Sequence, residues 1–182
     1  MIYTSGVVTT IDRAETLEEL QDNKLALVCN KLDLKPTDRL LDIGCGWGTL
    51  AAFAAKNFGC DVTGITLGKN QTAFGNARIK ENGVSHDKAR ILCMDYREIP
   101  GGPGHYTKIV SLEMAEVNSF FYATLKIFTN LIQHVGIRRY GSFLRQVYDL
   151  LDDDGIFVLQ VAGLRPAWQY EDLVWYVSGS TF

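Results

Sequence analysis

Hydrophobic and polar positions along the chain form two kinds of segment. Short, nearly continuous apolar runs, typical of strands buried on both faces of a parallel sheet, lie at 39–43, 61–66, 89–94, 107–112 and 156–162. Longer segments with apolar residues at helical spacing lie at 16–32, 47–57, 69–82 and 139–151. The alternation of strand and helix predicts an α/β fold with a doubly wound, mostly parallel sheet.

Local signals mark the ends of several of these elements. Thr16, followed by Glu19, predicts a capping box at the start of the first helix. Gly59 and Gly83 follow the second and third helices, where glycine accepts the left-handed backbone of a helix end. The Asp-Asp-Asp-Gly run at 152–155 predicts a turn before the fifth strand. Its adjacent carboxylates diverge, so we expect no metal site there.

Composition narrows the class of protein. The 182 residues suffice for one domain with a hydrophobic core, and 47% hydrophobic with 21% charged residues is ordinary globular composition. A net charge of −3 provides no basic field, so we expect no nucleic-acid partner. No apolar run reaches about 18 residues, and we expect neither a membrane-spanning segment nor a secretory leader.

The cysteines Cys29, Cys45, Cys60 and Cys93 form no C-x-x-C pair. Each lies in an apolar run, which predicts buried, reduced thiols in place of a disulfide framework.

The strongest motif follows the first predicted strand. Asp42 precedes glycines at positions 44, 46 and 48, and a helix follows. Glycines are required where the chain turns tightly and where a ligand lies against bare backbone, and this loop is where ligands bind in a doubly wound sheet. A dinucleotide site uses G-x-G-x-x-G, whereas the third glycine here comes one residue early.

The end of the second predicted strand also differs from a dinucleotide site. The carboxylate expected for ribose is absent, and Thr66 and Gln71 occur there instead. The loop therefore favours S-adenosylmethionine, which has no pyrophosphate to place, over a nicotinamide dinucleotide. An NAD-dependent oxidoreductase stays open as the alternative from another class.

Four motifs resemble the cyclopropane-fatty-acid-synthase group of S-adenosylmethionine-dependent methyltransferases. They are D-I-G-C-G-W-G at 42–48, G-I-T-L-x-x-N-Q at 64–71, D-Y-R at 95–97 and E-x-A-E at 113–116. The segments at 2–6 and 142–175 are more similar still to the fungal sphingolipid C9-methyltransferases. This resemblance implies a class I methyltransferase fold over 1–182, as a single partial domain that lacks the family's last strands.

The resemblance also implies a set of cofactor-binding residues. The glycines would hold the methionine part of the cofactor, Thr66 and Gln71 would face the ribose, and Tyr96 would lie beside the adenine. The complete set is Tyr3, Thr4, Asp42, Gly44, Gly46, Gly48, Thr66, Leu67, Gln71, Tyr96 and Leu112.

The catalytic residues implied by the resemblance are Glu116 and its partner His134, with Ser5 and Gln160. The bacterial enzymes have a cysteine and a histidine at the last two positions, where they help to hold a bicarbonate ion that removes a proton. Ser5 and Gln160 depart from that pattern, so they weigh against bicarbonate and favour the sphingolipid branch. An alternative is that Glu116 is only a structural acid at a strand end.

Residues 117–133 interrupt the family pattern between Glu116 and His134. They are largely apolar, with Lys126 as their single charge, and could form a membrane-dipping helix inserted in the domain. The genetic code offers another interpretation. Val117 is encoded by GTN, Gln133 can be CAG, and Thr129-Asn130 can be ACTAAC, which match the two splice sites and the branch point of a short intron that keeps the reading frame.

These observations predict the cofactor-binding core of a sphingolipid C9-methyltransferase, which methylates the sphingoid base of a glucosylceramide-type lipid. The alternative with the same chemistry is a cyclopropane-fatty-acyl-phospholipid synthase, and a further alternative is an inactive cofactor-binding fragment. By resemblance, we expect the whole enzyme to associate with a membrane surface, on the cytosolic face of the endoplasmic reticulum. The oligomeric state is left open.

The retained-intron hypothesis makes a prediction about the transcript. Sequencing of mature messenger RNA is expected to find the codon of Glu116 joined directly to the codon of His134. A message population that always carries the codons of residues 117–133 would contradict the hypothesis.

Overall fold

The computed structural model describes residues 6–112, 114 and 137–160. Its strands are β1 (Arg39–Ile43), β2 (Asp61–Thr66), β3 (Ala89–Cys93), β4 (Tyr106–Leu112) and β5 (Leu151–Gln160). Its helices are α1 (Leu17–Lys31), α2 (Thr49–Phe58), α3 (Lys69–Glu81) and α4 (Ile137–Leu150), and a 3-10 turn spans Tyr96–Glu98. The strands form one sheet in the order β3-β2-β1-β4-β5, and every neighbouring pair is parallel. The predicted fold class is confirmed.

Helices cover both faces of this sheet. Leu40 of β1 and Val110 of β4 belong to a core formed with α1, α2 and α3. Leu41, the next residue of β1, belongs to a second core in which Phe143 and Val147 of α4 are buried. Because successive strand residues point to opposite faces, the apolar run of β1 supplies both cores.

Two predicted helix ends agree with the structure. The Thr16 hydroxyl accepts a hydrogen bond from the Glu19 amide at 3.2 Å, and the Glu19 carboxylate accepts one from the Thr16 amide at 2.8 Å. The capping box before α1 is therefore present. Gly59 ends α2 with a left-handed backbone at φ 69°.

Two of the differences from the predicted element boundaries have a clear structural cause. The second helix begins at Thr49 and not at residue 47, because Gly48 is left-handed at φ 71° and so lies outside the helix. The predicted turn at 152–155 lies inside β5. Leu151 pairs with Tyr106 and Ile156 pairs with Lys108, so these acidic residues form an irregularity within a strand that continues on both sides.

The cysteine prediction is correct only in part. All four thiols are free, and Cys29 and Cys60 are buried. Cys45 is half-buried, and Cys93 is exposed because it is the last residue of β3, at the edge of the sheet. Among the described residues, no group of acidic, histidine and cysteine side chains could hold a metal ion. None of the described helices is long and apolar enough to cross a membrane.

Candidate cofactor site

The candidate site lies at the carboxyl ends of β1 and β4, which are neighbours in the sheet. The chain leaves these two strands toward opposite faces of the sheet. Helix α2, which follows β1, packs on one face, and helix α4, which follows β4, packs on the other. Such a reversal leaves a crevice above the strand ends, and ligands of doubly wound sheets bind in that crevice. The glycine loop that follows β1 borders it.

The glycine loop has a left-handed backbone at alternate residues. Gly44, Gly46 and Gly48 have φ values of 79°, 54° and 71°. The amides of Gly44 and Cys45 both donate to the carbonyl of Ile65, at 3.1 and 2.9 Å, and the Gly48 amide donates to the Cys45 carbonyl at 2.9 Å. The loop is thus attached to the end of β2 and has a defined shape before any ligand binds.

The glycines of this loop serve different purposes. A Cβ on Gly44 would lie 2.5 Å from Cγ of Met114, and one on Gly48 would lie 3.1 Å from the Cα of Gly75 in α3. These two glycines permit close packing of the protein on itself. A Cβ on Gly46 would meet no atom of the described residues within 4 Å, so this backbone faces open space in the described part of the chain. Gly46 therefore offers bare main chain to a ligand.

Asp42 lies two residues before the glycines, on the face of β1 that packs against α1 and α2. Its side chain is buried, with 3% of the residue exposed, and its Oδ2 has no hydrogen-bond partner among the described residues. Burial raises the pKa of this carboxyl to about 7. A carboxyl in this setting favours a cationic ligand, because a nearby positive charge would stabilise its ionised form.

Thr66 and Gln71 follow one another at the end of β2, where the sequence predicts them, and the structure adds a contact between their side chains. The Thr66 hydroxyl donates to Oε1 of Gln71 at 2.6 Å, across the turn that leads into α3. Leu67 lies in this turn with 52% of its surface exposed. The pair provides neutral hydrogen-bonding groups at the position where a dinucleotide site has a carboxylate. Contact of these residues with a ribose stays a prediction.

Tyr96 follows β3 and is held from two sides. Its ring packs edge-on against Phe143 of α4 with 5.6 Å between centroids, and its carbonyl accepts a hydrogen bond from Nε2 of Gln146 at 2.7 Å. Asp95 and Arg97 on either side form an ion pair at 2.6 Å, which holds the pKa of the Asp95 carboxyl below its ordinary value. The aromatic position is therefore rigid, while its contact with adenine stays a prediction.

Leu112 and Gln160 are paired residues at the carboxyl ends of β4 and β5. Both border a cavity of about 370 Å³, which α1 lines with Lys24, Leu27 and Lys31. The structure thus brings Gln160 together with Leu112 and with α1.

Several predicted site residues lie outside the described part of the chain. They are Tyr3, Thr4, Ser5, Glu116 and His134, and the segment 117–133 lies outside it too. Sequence reasoning missed the contact of Met114 with Gly44 and the packing of Phe74 against Trp47, whose ring centroids are 5.3 Å apart. Met114 occupies the variable position of the E-x-A-E motif. The motif therefore identifies the residues around Met114 as candidates but gives no signal for Met114 itself.

A doubly wound parallel sheet with a glycine loop at its point of reversal defines a nucleotide-cofactor-binding α/β domain. The sequence profile of the mycolic acid cyclopropane synthetase family matches residues 1–172. The chain belongs to this family.

Two curated relatives illustrate the range of the family. Sphingolipid C9-methyltransferase A of Emericella nidulans is 57% identical over 175 residues, which cover 96% of this chain and 31% of the relative. The cyclopropane-fatty-acyl-phospholipid synthase of Escherichia coli is 35% identical over 152 residues, which cover 84% of this chain and 33% of that relative. The chain therefore spans about a third of the length of these relatives.

A solved structure supports the same assignment. The crystal structure of mycolic acid cyclopropane synthase CmaA1, complexed with SAH and CTAB, matches with a TM-score of 0.73 and 26% identity. The match covers 98% of this chain and 56% of that chain. The expected class I methyltransferase fold is confirmed.

The raised pKa of Asp42 predicts how stability depends on pH. An ordinary aspartate ionises near pH 4, whereas folding holds Asp42 protonated up to about pH 7. Between these values the folded state binds the extra proton, so the Asp42 contribution to stability falls as pH rises through this window and is constant above it. Asp42→Asn removes this penalty and is expected to raise the free energy of unfolding above pH 7, by at most about 4 kcal/mol.

Urea denaturation at pH 5, 6, 7 and 8 measures this effect, with Asp87→Asn as an exposed control. The stability gain of Asp42→Asn should grow from pH 5 to pH 7. A gain that is the same at every pH would show that Asp42 titrates as an ordinary carboxyl.

Proposed function

We propose that this chain is the cofactor-binding core of an S-adenosylmethionine-dependent methyltransferase that transfers a methyl group to an alkene carbon of a lipid. The acceptor that we favour is C9 of the sphingoid base in a glucosylceramide-type lipid, by similarity to the fungal relative. The observation that carries the proposal is the bare backbone of Gly46, which faces space free of described atoms and follows the buried carboxyl of Asp42 by four positions in the chain.

The residues present fit this cofactor. S-adenosylmethionine carries positive charge, and a buried carboxyl whose Oδ2 has no hydrogen-bond partner among the described residues is suited to a cation. Its ribose needs hydrogen-bonding groups, which Thr66 and Gln71 offer at the end of β2. The loop holds its glycines at alternate residues and lacks the spacing of a pyrophosphate site. The same features, with the family membership, weigh against an NAD-dependent oxidoreductase.

When bound, S-adenosylmethionine supplies an electrophilic methyl group. An alkene is a weak, uncharged nucleophile that no base can activate, so the protein must hold its carbon at near-attack distance in a dry pocket. Methylation leaves a cation on the neighbouring carbon of the lipid, which a carboxylate or an aromatic face stabilises.

We assign the final proton removal to Glu116, acting directly or by positioning the base, with His134 as its partner. Ser5 and Gln160 complete the proposed catalytic set. Their difference from the bacterial cysteine and histidine argues against a bicarbonate ion as the base.

A cyclopropane synthase is the second candidate, and the similarity to the bacterial enzyme supports it. The two reactions differ in the proton that is removed. Loss of a proton from the new methyl group closes a ring, whereas loss from the lipid chain restores the double bond and leaves a methyl branch. Lipid analysis of a strain that lacks methyl-branched sphingolipids, complemented with the complete gene, distinguishes the two products. An unchanged lipid profile would indicate an inactive protein.

The whole protein's partners follow from the proposed substrate. A sphingolipid acceptor resides in a membrane, so we propose that the complete enzyme works at a membrane surface, on the cytosolic face of the endoplasmic reticulum. We propose also that residues 117–133 are a retained intron, because they separate Glu116 from His134 in the chain.

Gly46 offers a sharp test of the cofactor site, with Gly83 as a matched control. Both have a left-handed backbone, at φ 54° and 75°, and a Cβ on either would lie more than 4 Å from every described residue other than its chain neighbours. Gly46→Ala and Gly83→Ala therefore carry a similar backbone strain, on the order of 1 kcal/mol. Only Gly46→Ala places a methyl group where we expect the cofactor.

Calorimetric titration with S-adenosylmethionine measures the difference. Gly46→Ala should weaken binding at least about tenfold, and Gly83→Ala should bind like the unaltered protein. Equal binding by both variants would place the cofactor away from the glycine loop.

A further inference from the structure

Asp42 combines burial with an unused hydrogen-bonding atom. It lies near the carboxyl end of β1, two residues before Gly44, and its Oδ2 has no hydrogen-bond partner in the described part of the chain. In an ionised carboxylate at this place, Oδ2 would have lost its water without gaining a hydrogen bond from a described residue. The side chain is therefore poised between a neutral form, which burial favours, and a charged form, which needs a cation.

The described groups that pack around Asp42 do not supply that cation. In the sheet, Asp42 pairs with Gly64 of β2 and with Val110 of β4, and neither can titrate. From α2, the buried residues are apolar. The glycine loop contributes the thiol of Cys45, whose pKa burial raises well above its ordinary value.

Helix α1 contributes a thiol and a lysine to this face. Burial raises the pKa of the Cys29 thiol to about 12, so this thiol is neutral. Lys24 of α1 is also buried, yet burial alone accounts for the raised pKa of Asp42. Lys108 shares this face of the sheet from β4, and its charge acts on Asp33. Asp42 is therefore not compensated by a cation among the described residues.

We propose that Asp42 couples cofactor binding to proton release: its carboxyl is protonated in the cofactor-free protein and ionises when the positively charged cofactor enters the glycine loop. The O–H bond of the carboxyl breaks, the electron pair stays on Asp42, and the proton goes to solvent. The cofactor's charge then faces a carboxylate. Asp42 can act in this way only if the chain binds the cofactor, so the proposal rests on the proposed function.

The cofactor has two cationic groups, the methionyl ammonium and the sulfonium. S-adenosylhomocysteine retains only the ammonium, and adenosine has neither. Proton release with both S-adenosylmethionine and S-adenosylhomocysteine assigns the coupling to the ammonium. Release with S-adenosylmethionine alone assigns it to the sulfonium, and in that case the loss of charge on methyl transfer would favour departure of the product.

Calorimetry of the full chain in buffers of different ionisation enthalpy counts the protons released. With a pKa of about 7, the unaltered protein should release about 0.9 proton per cofactor at pH 6 and about 0.1 at pH 8 through Asp42. Its Kd should fall about tenfold between these pH values. Asp42→Asn should lose both effects, and Asp87→Asn should keep them. Subtracting the Asp42→Asn result removes any proton exchange by the cofactor itself.

Infrared difference spectra supply a readout that needs no variant. Addition of S-adenosylmethionine at pH 6 should remove the absorption of a protonated carboxyl and add that of a carboxylate. Binding without this change, and with equal proton counts for the unaltered protein and Asp42→Asn, would overturn the proposal and leave the proposed function intact. Absence of any binding heat in the unaltered protein would instead contradict the proposed function.

Discussion

The two hydrogen bonds from the glycine loop to the carbonyl of Ile65 are the interaction on which the rest of the site depends. They join the end of β1 to the end of β2 and hold the loop open, so that Gly46 presents main chain to the crevice. Met114 packs against Gly44 from the segment after β4, and Gly75 packs against Gly48 from α3. The two outer glycines thus secure the loop, and the central one is left for the ligand.

A second constraint acts beside this loop. Asp42 is kept in the interior although no described residue satisfies its Oδ2 or balances its charge. Stability alone does not explain such a residue, because an isosteric amide would avoid the cost of burying the charge. In a protein whose secondary structure, packing and hydrogen bonding otherwise agree with its fold, a single destabilising group beside a ligand loop indicates a functional site.

Much of the fold could be predicted from the sequence, because its signals are local. The five apolar runs, the capping box of Thr16 and the terminal glycine of α2 each depend on residues close together in the chain. The irregularity in β5 could not be predicted in this way, since it depends on pairing with β4. The left-handed backbone of Gly48, which delays the start of α2, serves a contact with Gly75 that the sequence does not display.

In the candidate site too, features set by neighbouring residues could be predicted from the sequence, and features set by packing could not. Motif spacing was enough to identify the glycine loop and to place Thr66 and Gln71 at the end of β2, whereas the hydrogen bond between them is seen only in the structure. The burial of Asp42 with an unsatisfied Oδ2 and the contact of Met114 with Gly44 arise from packing between distant segments, and only the three-dimensional structure reveals them.

The proposed function requires that a ligand of the S-adenosylmethionine type lies on the main chain of residues 44–48. Nuclear magnetic resonance of the isotopically labelled protein during titration with S-adenosylhomocysteine tests it most directly. The backbone amide signals of residues 44–48 should shift in proportion to saturation, while that of Gly83 should stay in place. Saturable binding that leaves the signals of residues 44–48 unmoved would contradict it.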